Sequence, residues 1–269
     1  MNRSPLDIRP YETLLDEHRD RFARFEQCLT AENKKYNLTR ITSPQQVRSR
    51  HFLDSLVGLS ILDGLSHRLG RPLRLADVGS GAGFPGLVLA AVRPDWSVVS
   101  IEATEKKARF QKHLCEALNL RNVTVVHGRA EELAHQAPYR QTFDAVTARA
   151  LAELAILSEL TLAFLQPPGL AVYWKTTAAA EELAAAEPAI RQMGAVPERI
   201  AAYRLTDDEG RPIDFSLVVC RKTAPTPAAC PRVFSLIKKH PLTQSTAATQ
   251  PQKKRKSNER QKGIRHRHQ

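Results

Sequence analysis

The chain has 269 residues and a formal net charge of +12 at pH 7, and 42% of its residues are hydrophobic. This length has room for one large domain with an appendage. No run of about eighteen apolar residues is present, which argues against a membrane span, and the charged amino terminus lacks the apolar stretch of a secretory signal. The four cysteines are scattered, without the spacing of a zinc site. We therefore expect a cytoplasmic protein with reduced thiols and no bound metal.

The positive charge is concentrated near the carboxyl terminus. Residues 253–269 contain eight Lys or Arg and one Glu, whereas the preceding 252 residues carry a net charge of +5. A segment of this composition cannot bury enough apolar surface to fold, so we predict a disordered basic tail over 243–269. Two interpretations of this tail remain open: a solvated segment, or an arm that contacts RNA phosphates.

Two helical segments are predicted in the first part of the chain. Apolar residues recur at helical spacing over 8–31 and again over 43–62. Ser43 is an N-cap candidate for the second segment, and Pro44 occupies its first helical position. We therefore predict an N-terminal helical region over residues 1–70.

From residue 71 onward, short apolar runs alternate with helical patterns, which is typical of a parallel sheet with crossover helices. Pro188 is expected to interrupt or bend the last helix, and "QPPG" at 166–169 is expected to form a turn. The final two strands can pair antiparallel because the link between them is too short for a crossover. Five parallel strands followed by this hairpin describe an α/β, Rossmann-like class I methyltransferase sheet over 71–242. The predicted strands span 73–79, 97–102, 123–128, 143–149, 170–175, 198–205 and 214–222, and the predicted helices span 86–93, 105–119, 151–165 and 178–193.

The stretch "LADVGSGAGFPGLVLA" follows the first predicted strand and carries two overlapping glycine patterns. Gly79, Gly81 and Gly83 form the G-x-G-x-G loop of S-adenosylmethionine enzymes. The last two of these form, with Gly86, the G-x-G-x-x-G loop of dinucleotide-binding enzymes. Glu102 ends the next strand, where both kinds of enzyme use an acidic residue to hold a ribose hydroxyl. These features alone leave both cofactors open.

The residues around the loop favour S-adenosylmethionine. Asp77 places a negative charge close to the loop, and Pro85 removes one of the backbone N–H groups that a pyrophosphate would use. S-adenosylmethionine has no phosphate, and a nearby carboxylate favours its ammonium and sulfonium groups. Ala130 and Glu131 follow the third strand, where they either meet an adenine edge or form the first turn of a helix. Arg149 ends the fourth strand beside the predicted cleft, a position that packing explains poorly.

Seven motifs occur along the chain in the order "KYNLTRIT", "RSRHFLDSL", "LADVGSGAGFPGLVLA", "IEATEKKARFQ", "GRAEEL", "FDAVTARALAEL" and "PRVFSLIKKHPL". In this order they resemble the ribosomal RNA small subunit methyltransferase G family, also called glucose-inhibited division protein B, over roughly residues 20–242. The resemblance implies a class I methyltransferase that transfers a methyl group from S-adenosylmethionine to N7 of a guanosine in bacterial small-subunit (16S) rRNA.

The resemblance also assigns residues to the cofactor site. The family's cofactor-contacting positions match Gly79, Phe84, Ala130, Glu131 and Arg149. The loop chemistry described above adds Asp77, Gly81, Gly83 and Glu102 to the predicted site. Two motifs depart from the family pattern. The fifth strand ends in "YWKTT", without the glycine that usually follows the lysine, so the role of Lys175 is left open. "CPRVFSLIKK" is less basic than usual and lacks a glycine.

The remaining candidate residues are predicted to contact the RNA or to act in methyl transfer. Guanine N7 has a free lone pair at neutral pH, so its methylation needs no general base, and orientation supplies about 7–11 kcal/mol. Arg149 and Lys175 are the predicted catalytic residues. For His51, a helix histidine packed near Phe52 is the simpler interpretation. The predicted RNA-binding residues are Asn37, Arg40, Arg50, His51 and Asp54.

Three functions stay open on the sequence. The first is an rRNA N7-guanine methyltransferase, and the second is an S-adenosylmethionine enzyme acting on another RNA or a small molecule. The third is a nicotinamide-dependent oxidoreductase, or a non-catalytic RNA-binding module, on the same sheet. The mildly basic body favours RNA. We expect small-subunit rRNA or a small-subunit particle as the partner, no membrane, no stable protein partner and, by default, a monomer.

Overall fold

A computed structural model describes residues 5–242 as a seven-stranded sheet with helices on both faces. The sheet order is β3-β2-β1-β4-β5-β7-β6, in which β1 to β5 run parallel and β7 runs antiparallel to β5 and β6. This confirms the predicted α/β sheet with its antiparallel hairpin. The predicted basic tail, 243–269, lies outside the described residues. The strands are β1 (Arg74–Val78), β2 (Ser97–Glu102), β3 (Val123–His127), β4 (Phe143–Arg149), β5 (Leu165–Lys175), β6 (Ala195–Thr206) and β7 (Pro212–Lys222).

Helices precede the sheet and connect its strands. Within residues 5–242, no helix is both long enough and apolar enough to cross a bilayer. A π-helical segment, Val47–Leu53, joins α3 to α4. The helices are α1 (Arg9–Glu17), α2 (Arg19–Tyr36), α3 (Pro44–Gln46), α4 (Asp54–Leu56), α5 (Leu59–Leu69), α6 (Gly86–Val92), α7 (Glu105–Ala117), α8 (Ala130–Leu133), α9 (Leu154–Thr161), α10 (Ala179–Gln192) and α11 (Phe234–Lys239).

The N-terminal helices follow the predicted pattern with two differences. The first predicted segment contains two helices, because the chain leaves helical geometry at His18 and continues as α2. Ser43 caps the second segment as predicted, and its Oγ accepts a hydrogen bond from the Gln46 N–H at 3.1 Å. That segment then becomes π-helical from Val47 to Leu53. Apolar periodicity does not reveal such a change, which is frequent at functional sites.

The sheet separates two hydrophobic cores. Successive strand residues point to opposite faces, so Leu75 packs in the core beneath the N-terminal helices, whereas Ala76 packs in the core beneath α9 and α10. The N-terminal helices thus share a core with one face of the sheet. The domain boundary at residue 70 stays a prediction.

One local prediction is wrong, and a second is wrong in one of its two alternatives. Residues 166–169 lie inside β5 rather than in a turn before it, and the register against β4 shifts between Phe143 and Ala145. An irregular register accommodates prolines, which cannot donate to a sheet ladder. Pro188 does not interrupt α10, which is continuous over Ala179–Gln192, and a bend at this proline stays a prediction. The buried face of this helix holds it against the core despite the one hydrogen bond that the proline removes.

Candidate functional site

The glycine loop between β1 and α6 has a backbone conformation that residues with a side chain rarely adopt. Gly79, Gly81 and Gly83 have φ values of +71°, +61° and +98°, the left-handed region that favours glycine. A Cβ on Gly81 would meet no atom within 4 Å, so the space over this residue is open. A Cβ on Gly86 would instead lie 2.6 Å from the Asp77 carboxyl group. Gly86 therefore permits close packing of α6, whereas the open space lies over Gly81, which both glycine patterns contain.

Asp77 supports this loop from beneath. Its side chain is buried, its Oδ2 accepts hydrogen bonds from Ser80 Oγ at 2.5 Å and the Gly86 N–H at 2.9 Å, and its Oδ1 accepts one from Thr147 Oγ1 at 2.8 Å. Burial raises the pKa of Asp77, and the three hydrogen bonds oppose that rise. Asp77 has no contact with the open side of the loop. The contribution of Asp77 to cofactor binding stays a prediction.

A buried polar cluster, which the sequence did not reveal, extends this support to β2 and α7. Ser100 Oγ lies 2.6 Å from Ser80 Oγ and 2.5 Å from Gln111 Oε1. Gln111 Nε2 donates to the Gly81 carbonyl at 2.8 Å. Serine and glutamine within strand and helix patterns usually indicate solvent-facing positions, so no local signal marks these residues.

A cavity of about 330 Å³ opens beside the loop at the carboxyl ends of β1, β2 and β3; we call it the cofactor cavity. Four predicted residues line it: Gly79, Glu102, Ala130 and Glu131. Glu102 is buried at its edge, where its carboxylate accepts hydrogen bonds from the N–H groups of Gly81 at 2.9 Å and Thr104 at 2.8 Å. The lining residues that the sequence did not indicate include Lys107, Leu151 and Phe234.

The residues of this cavity fit S-adenosylmethionine. Open space lies over Gly81, whose N–H donates to Glu102, and the carboxylates of Glu102 and Glu131 both line the cavity. Two carboxylates suit ribose hydroxyls and an amino-substituted purine, whereas they would repel a pyrophosphate. Ile101 and Leu160 provide apolar surface in the same lining.

A second cavity, of about 390 Å³, lies on the other side of Ala150; we call it the acceptor cavity. Ala150 lines both cavities and has a φ of +53°, which is strained for a residue with a Cβ. The side chains around the acceptor cavity come from the π-helical segment and from α4, β4, β5, β6, β7 and α10. They include Arg50, His51, Asp54, Arg149, Trp174, Lys175, Glu182, Tyr203 and Phe215.

Asp54 is the centre of the polar cluster in this cavity. Its Oδ2 accepts a hydrogen bond from Arg149 Nη1 at 2.7 Å, and its Oδ1 accepts one from the Tyr203 hydroxyl at 2.5 Å. The Trp174 indole N–H donates to the Asp54 carbonyl at 2.7 Å. Burial and the Asp54 carboxylate raise the pKa of Tyr203 well above its ordinary value, so Tyr203 remains a donor. Asp54 therefore fixes one end of Arg149.

Arg149, His51 and Phe84 form a stacked unit next to this cluster. Arg149 Nη2 lies 3.2 Å from His51 Nδ1, and its guanidinium carbon is 5.1 Å from the centre of the Phe84 ring. The His51 ring stacks on Phe84 at 4.3 Å, and His51 Nε2 is 2.9 Å from Thr39 Oγ1. Burial and the charge of Arg149 lower the pKa of His51 to about 3. His51 is therefore neutral, with both nitrogens engaged.

Lys175 lies at the edge of the acceptor cavity, where it joins three parts of the chain. Its Nζ donates to Glu182 Oε1 at 2.6 Å and to the Ala152 carbonyl at 2.9 Å. The same Glu182 oxygen accepts the Leu154 N–H at 2.6 Å. Lys175 thus pairs with a carboxylate, and its catalytic role stays a prediction.

The predicted RNA-binding residues fall into two groups. Arg50, His51 and Asp54 line the acceptor cavity. Asn37 and Arg40 are exposed on the connector between α2 and α3, outside that cavity. Contact of any of the five with RNA stays a prediction. The other polar and aromatic lining residues, such as Glu182 and Tyr203, had no signal because each stands alone in its own segment.

The antiparallel β7 in an otherwise parallel core sheet and the open glycine loop above two carboxylates define the class: an S-adenosylmethionine-dependent class I methyltransferase. A family model described as rRNA small subunit methyltransferase G matches residues 18–209. This chain belongs to that family, which excludes the oxidoreductase and the non-catalytic module.

Individual relatives agree with the family model. A protein from Roseiflexus castenholzii named ribosomal RNA small subunit methyltransferase G is 41% identical over 224 residues, covering 83% of this chain and 91% of the relative. One of the same name from Leuconostoc citreum is 35% identical over 230 residues, covering 86% and 93%. Among solved structures, a precorrin-6y C5,15-methyltransferase from Geobacter metallireducens aligns with a TM-score of 0.45 at 19% identity, covering 62% of this chain and 87% of that one.

Proposed function

We propose that this protein transfers a methyl group from S-adenosylmethionine to N7 of a guanosine in the 16S rRNA of the bacterial small subunit. The family model and the relatives' names support the rRNA substrate. We also propose that it acts as a cytoplasmic monomer without a stable protein partner. The observation that carries the choice of acceptor atom is the state of the ionisable groups in the acceptor cavity.

The side chains of the acceptor cavity are poorly placed to remove a proton. The two carboxylates lining it are held by cations, Asp54 by Arg149 and Glu182 by Lys175. His51 is neutral, and its pKa of about 3 makes it a weak base. This arrangement suits an acceptor that already has a free lone pair, as guanine N7 does at neutral pH. Catalysis then rests on orientation, which supplies about 7–11 kcal/mol.

The cofactor would be held by the residues of the glycine loop and the cofactor cavity. We assign Glu102 to the ribose, and Ala130 and Glu131 to the adenine edge. The loop from Gly79 to Phe84 is assigned to the methionyl end, and Arg149 lines the acceptor cavity next to Ala150. When bound, S-adenosylmethionine supplies a methyl group activated by its sulfonium. The chain itself holds and orients both partners.

The acceptor cavity has the composition expected for a purine base. Trp174, Tyr203 and Phe215 provide aromatic surface, and the Arg50 guanidinium carbon lies 4.8 Å from the centre of the Phe215 ring. Aromatic rings and arginine planes are the usual stacking partners of unpaired RNA bases. N7 lies on the Hoogsteen edge, so the target guanosine must be unpaired or turned out of its stack.

The proposal is tested with two 16S rRNA transcripts, one made with guanosine and one made with 7-deazaguanosine at every guanosine position. 7-Deazaguanosine keeps the Watson–Crick edge of guanosine but has C–H in place of N7. We expect methyl transfer from labelled S-adenosylmethionine to the first transcript alone, with 7-methylguanosine in its nuclease digest. Small subunits from cells lacking the endogenous activity serve as a second substrate. Equal labelling of both transcripts, or labelling of ribosomal protein only, would overturn the proposal.

A further inference from the structure

A basic surface lies between α2 and α7, outside both cavities. It is a groove of about 390 Å³, and we call it the basic groove. Lys35, Lys106, Arg109 and His113 contribute basic side chains, and Glu32 contributes one carboxylate. The groove therefore has a net positive charge even with His113 neutral. None of the predicted cofactor, catalytic or RNA-binding residues lines it.

The cations of the basic groove are incompletely neutralised by the protein. Lys35 pairs with Glu32 at 3.1 Å, but within residues 5–242 neither Lys106 nor Arg109 has a carboxylate within 4 Å. Some exposed arginines elsewhere are paired, as Arg191 and Arg204 are, each with a carboxylate oxygen at 2.6 Å. Lys106 and Arg109 are three residues apart on α7 and therefore project from one face of the helix. They leave positive charge available to a ligand.

The groove also contains an exposed aromatic side chain. Tyr36 lines it and is 37% exposed. Lys106 Nζ donates to the Tyr36 carbonyl at 3.2 Å, which joins the end of α2 to the first turn of α7. Binding sites for single-stranded nucleic acids combine cationic side chains along the phosphate backbone with aromatic rings on which the bases stack.

The basic groove is continuous with the two cavities along the chain. Lys107, next to Lys106, lines the cofactor cavity. Ile41, five residues after Tyr36, lines the acceptor cavity. Five residues span no more than about 18 Å, so an RNA strand with one base in the acceptor cavity reaches the groove within a few nucleotides. Asn37 and Arg40 are exposed between the two sites.

We propose that the basic groove binds the phosphate backbone of the substrate RNA next to the target guanosine, with Lys106 and Arg109 as phosphate contacts and Tyr36 as a stacking surface. The inference rests on the proposed function, since it takes rRNA as the substrate. It extends that function by assigning the path of the strand outside the acceptor cavity. An acidic protein surface is the competing partner, and the test separates the two.

The test compares a Lys106→Gln/Arg109→Gln variant with an Arg191→Gln/Arg199→Gln control. The control removes the same charge from the end of α10 and from β6, away from the carboxyl edge of the parallel strands. Binding to protein-free 16S rRNA is measured over a range of salt concentrations, alongside S-adenosylmethionine affinity and thermal unfolding. We expect about tenfold weaker RNA binding for the groove variant. Its slope of log affinity against log salt should be shallower by about 1.4, the value for two phosphate contacts with single-stranded RNA. Cofactor affinity and unfolding temperature should match the wild type.

Three other outcomes of this comparison would lead to different conclusions about the groove and the proposed function. A groove variant whose salt slope equals that of the control overturns the groove assignment and leaves the proposed function untouched. Loss of binding to small-subunit particles but not to protein-free rRNA also overturns it, in favour of an acidic protein partner. A wild-type protein that binds rRNA without methylating it would overturn the proposed function, while the binding comparison still decides the groove.

Discussion

The cofactor cavity and the acceptor cavity are neighbours built in different ways. The cofactor cavity depends on backbone: three glycines with positive φ follow one strand, and neighbouring strand ends complete the site. The acceptor cavity depends on side chains from distant segments, which meet through hydrogen bonds to the carboxylate and the backbone carbonyl of one buried residue, Asp54. Damage to the first should therefore abolish cofactor binding. Damage to the second should lower methyl transfer while cofactor binding survives.

The largest effect is expected at Gly81. A Gly81→Asp change places a carboxylate in the open space over the loop, next to Glu102, and should weaken S-adenosylmethionine binding at least about 100-fold, or about 2.7 kcal/mol. Gly70→Asp is the matched control, because Gly70 has a φ of +63° and also has open space around its Cβ position. Calorimetric titration measures both. Equal affinities for the two variants would mean that the loop does not hold the cofactor.

An intermediate effect is expected at Tyr203. Tyr203→Phe removes the hydrogen bond to the Asp54 carboxylate, and hydrogen bonds to charged groups contribute about 1.5–3 kcal/mol. With Arg149 less firmly held, kcat/KM for RNA methylation should fall about tenfold at unchanged cofactor affinity. Tyr173→Phe is the control: this buried tyrosine bonds Thr161 at 2.7 Å, in the other core. The control should lose stability alone, and equal loss of methylation in both variants would contradict the role of Asp54.

The smallest effect at neutral pH is expected for a substitution of His51, which should change the free energy of unfolding only at acidic pH. The pKa of His51 is about 3 in the folded protein, below its ordinary value of 6.5. Between these values the unfolded chain binds more protons, so stability decreases as pH falls from 6.5 towards 3. Relative to His51→Gln, the wild type should lose up to about 1.4 kcal/mol of unfolding free energy per pH unit. Urea unfolding from pH 7 to pH 4 measures this, and parallel curves would place His51 in solvent.

The same contrast explains what could be predicted from the sequence. The glycine loop, Glu102 and the strand that follows each helix are local patterns, and the observed strands β2 and β4 have the predicted bounds. The acceptor cavity has no local pattern, because Asp54 meets Arg149 and Tyr203 across intervals of 95 and 149 residues. Tyr203 is a single aromatic residue in an edge strand, and only the folded sheet shows its partner.

The turn predicted at 166–169 and the helix break predicted at Pro188 are absent for the same physical reason. Residues 166–169 and Pro188 were interpreted from the local preferences of proline, which predict turns and helix breaks. In the folded protein, β5 and α10 continue through these prolines because their neighbours are packed in the core. Tertiary contacts prevailed over the local preference of proline in both segments. The π-helical segment Val47–Leu53, which carries Arg50 and His51, had no local signal in the sequence.

Ala150 has a consequence for inhibitor design. Within residues 5–242 it is the one residue that lines both cavities, and its side chain is a single methyl group. A bisubstrate compound that joins an adenosine to a guanine would have to run its linker past this residue. Occupying both cavities with one molecule makes the second binding event intramolecular, which increases overall affinity when the linker matches the span. Replacing Ala150 with a bulky residue would then select against the joined compound more strongly than against either half.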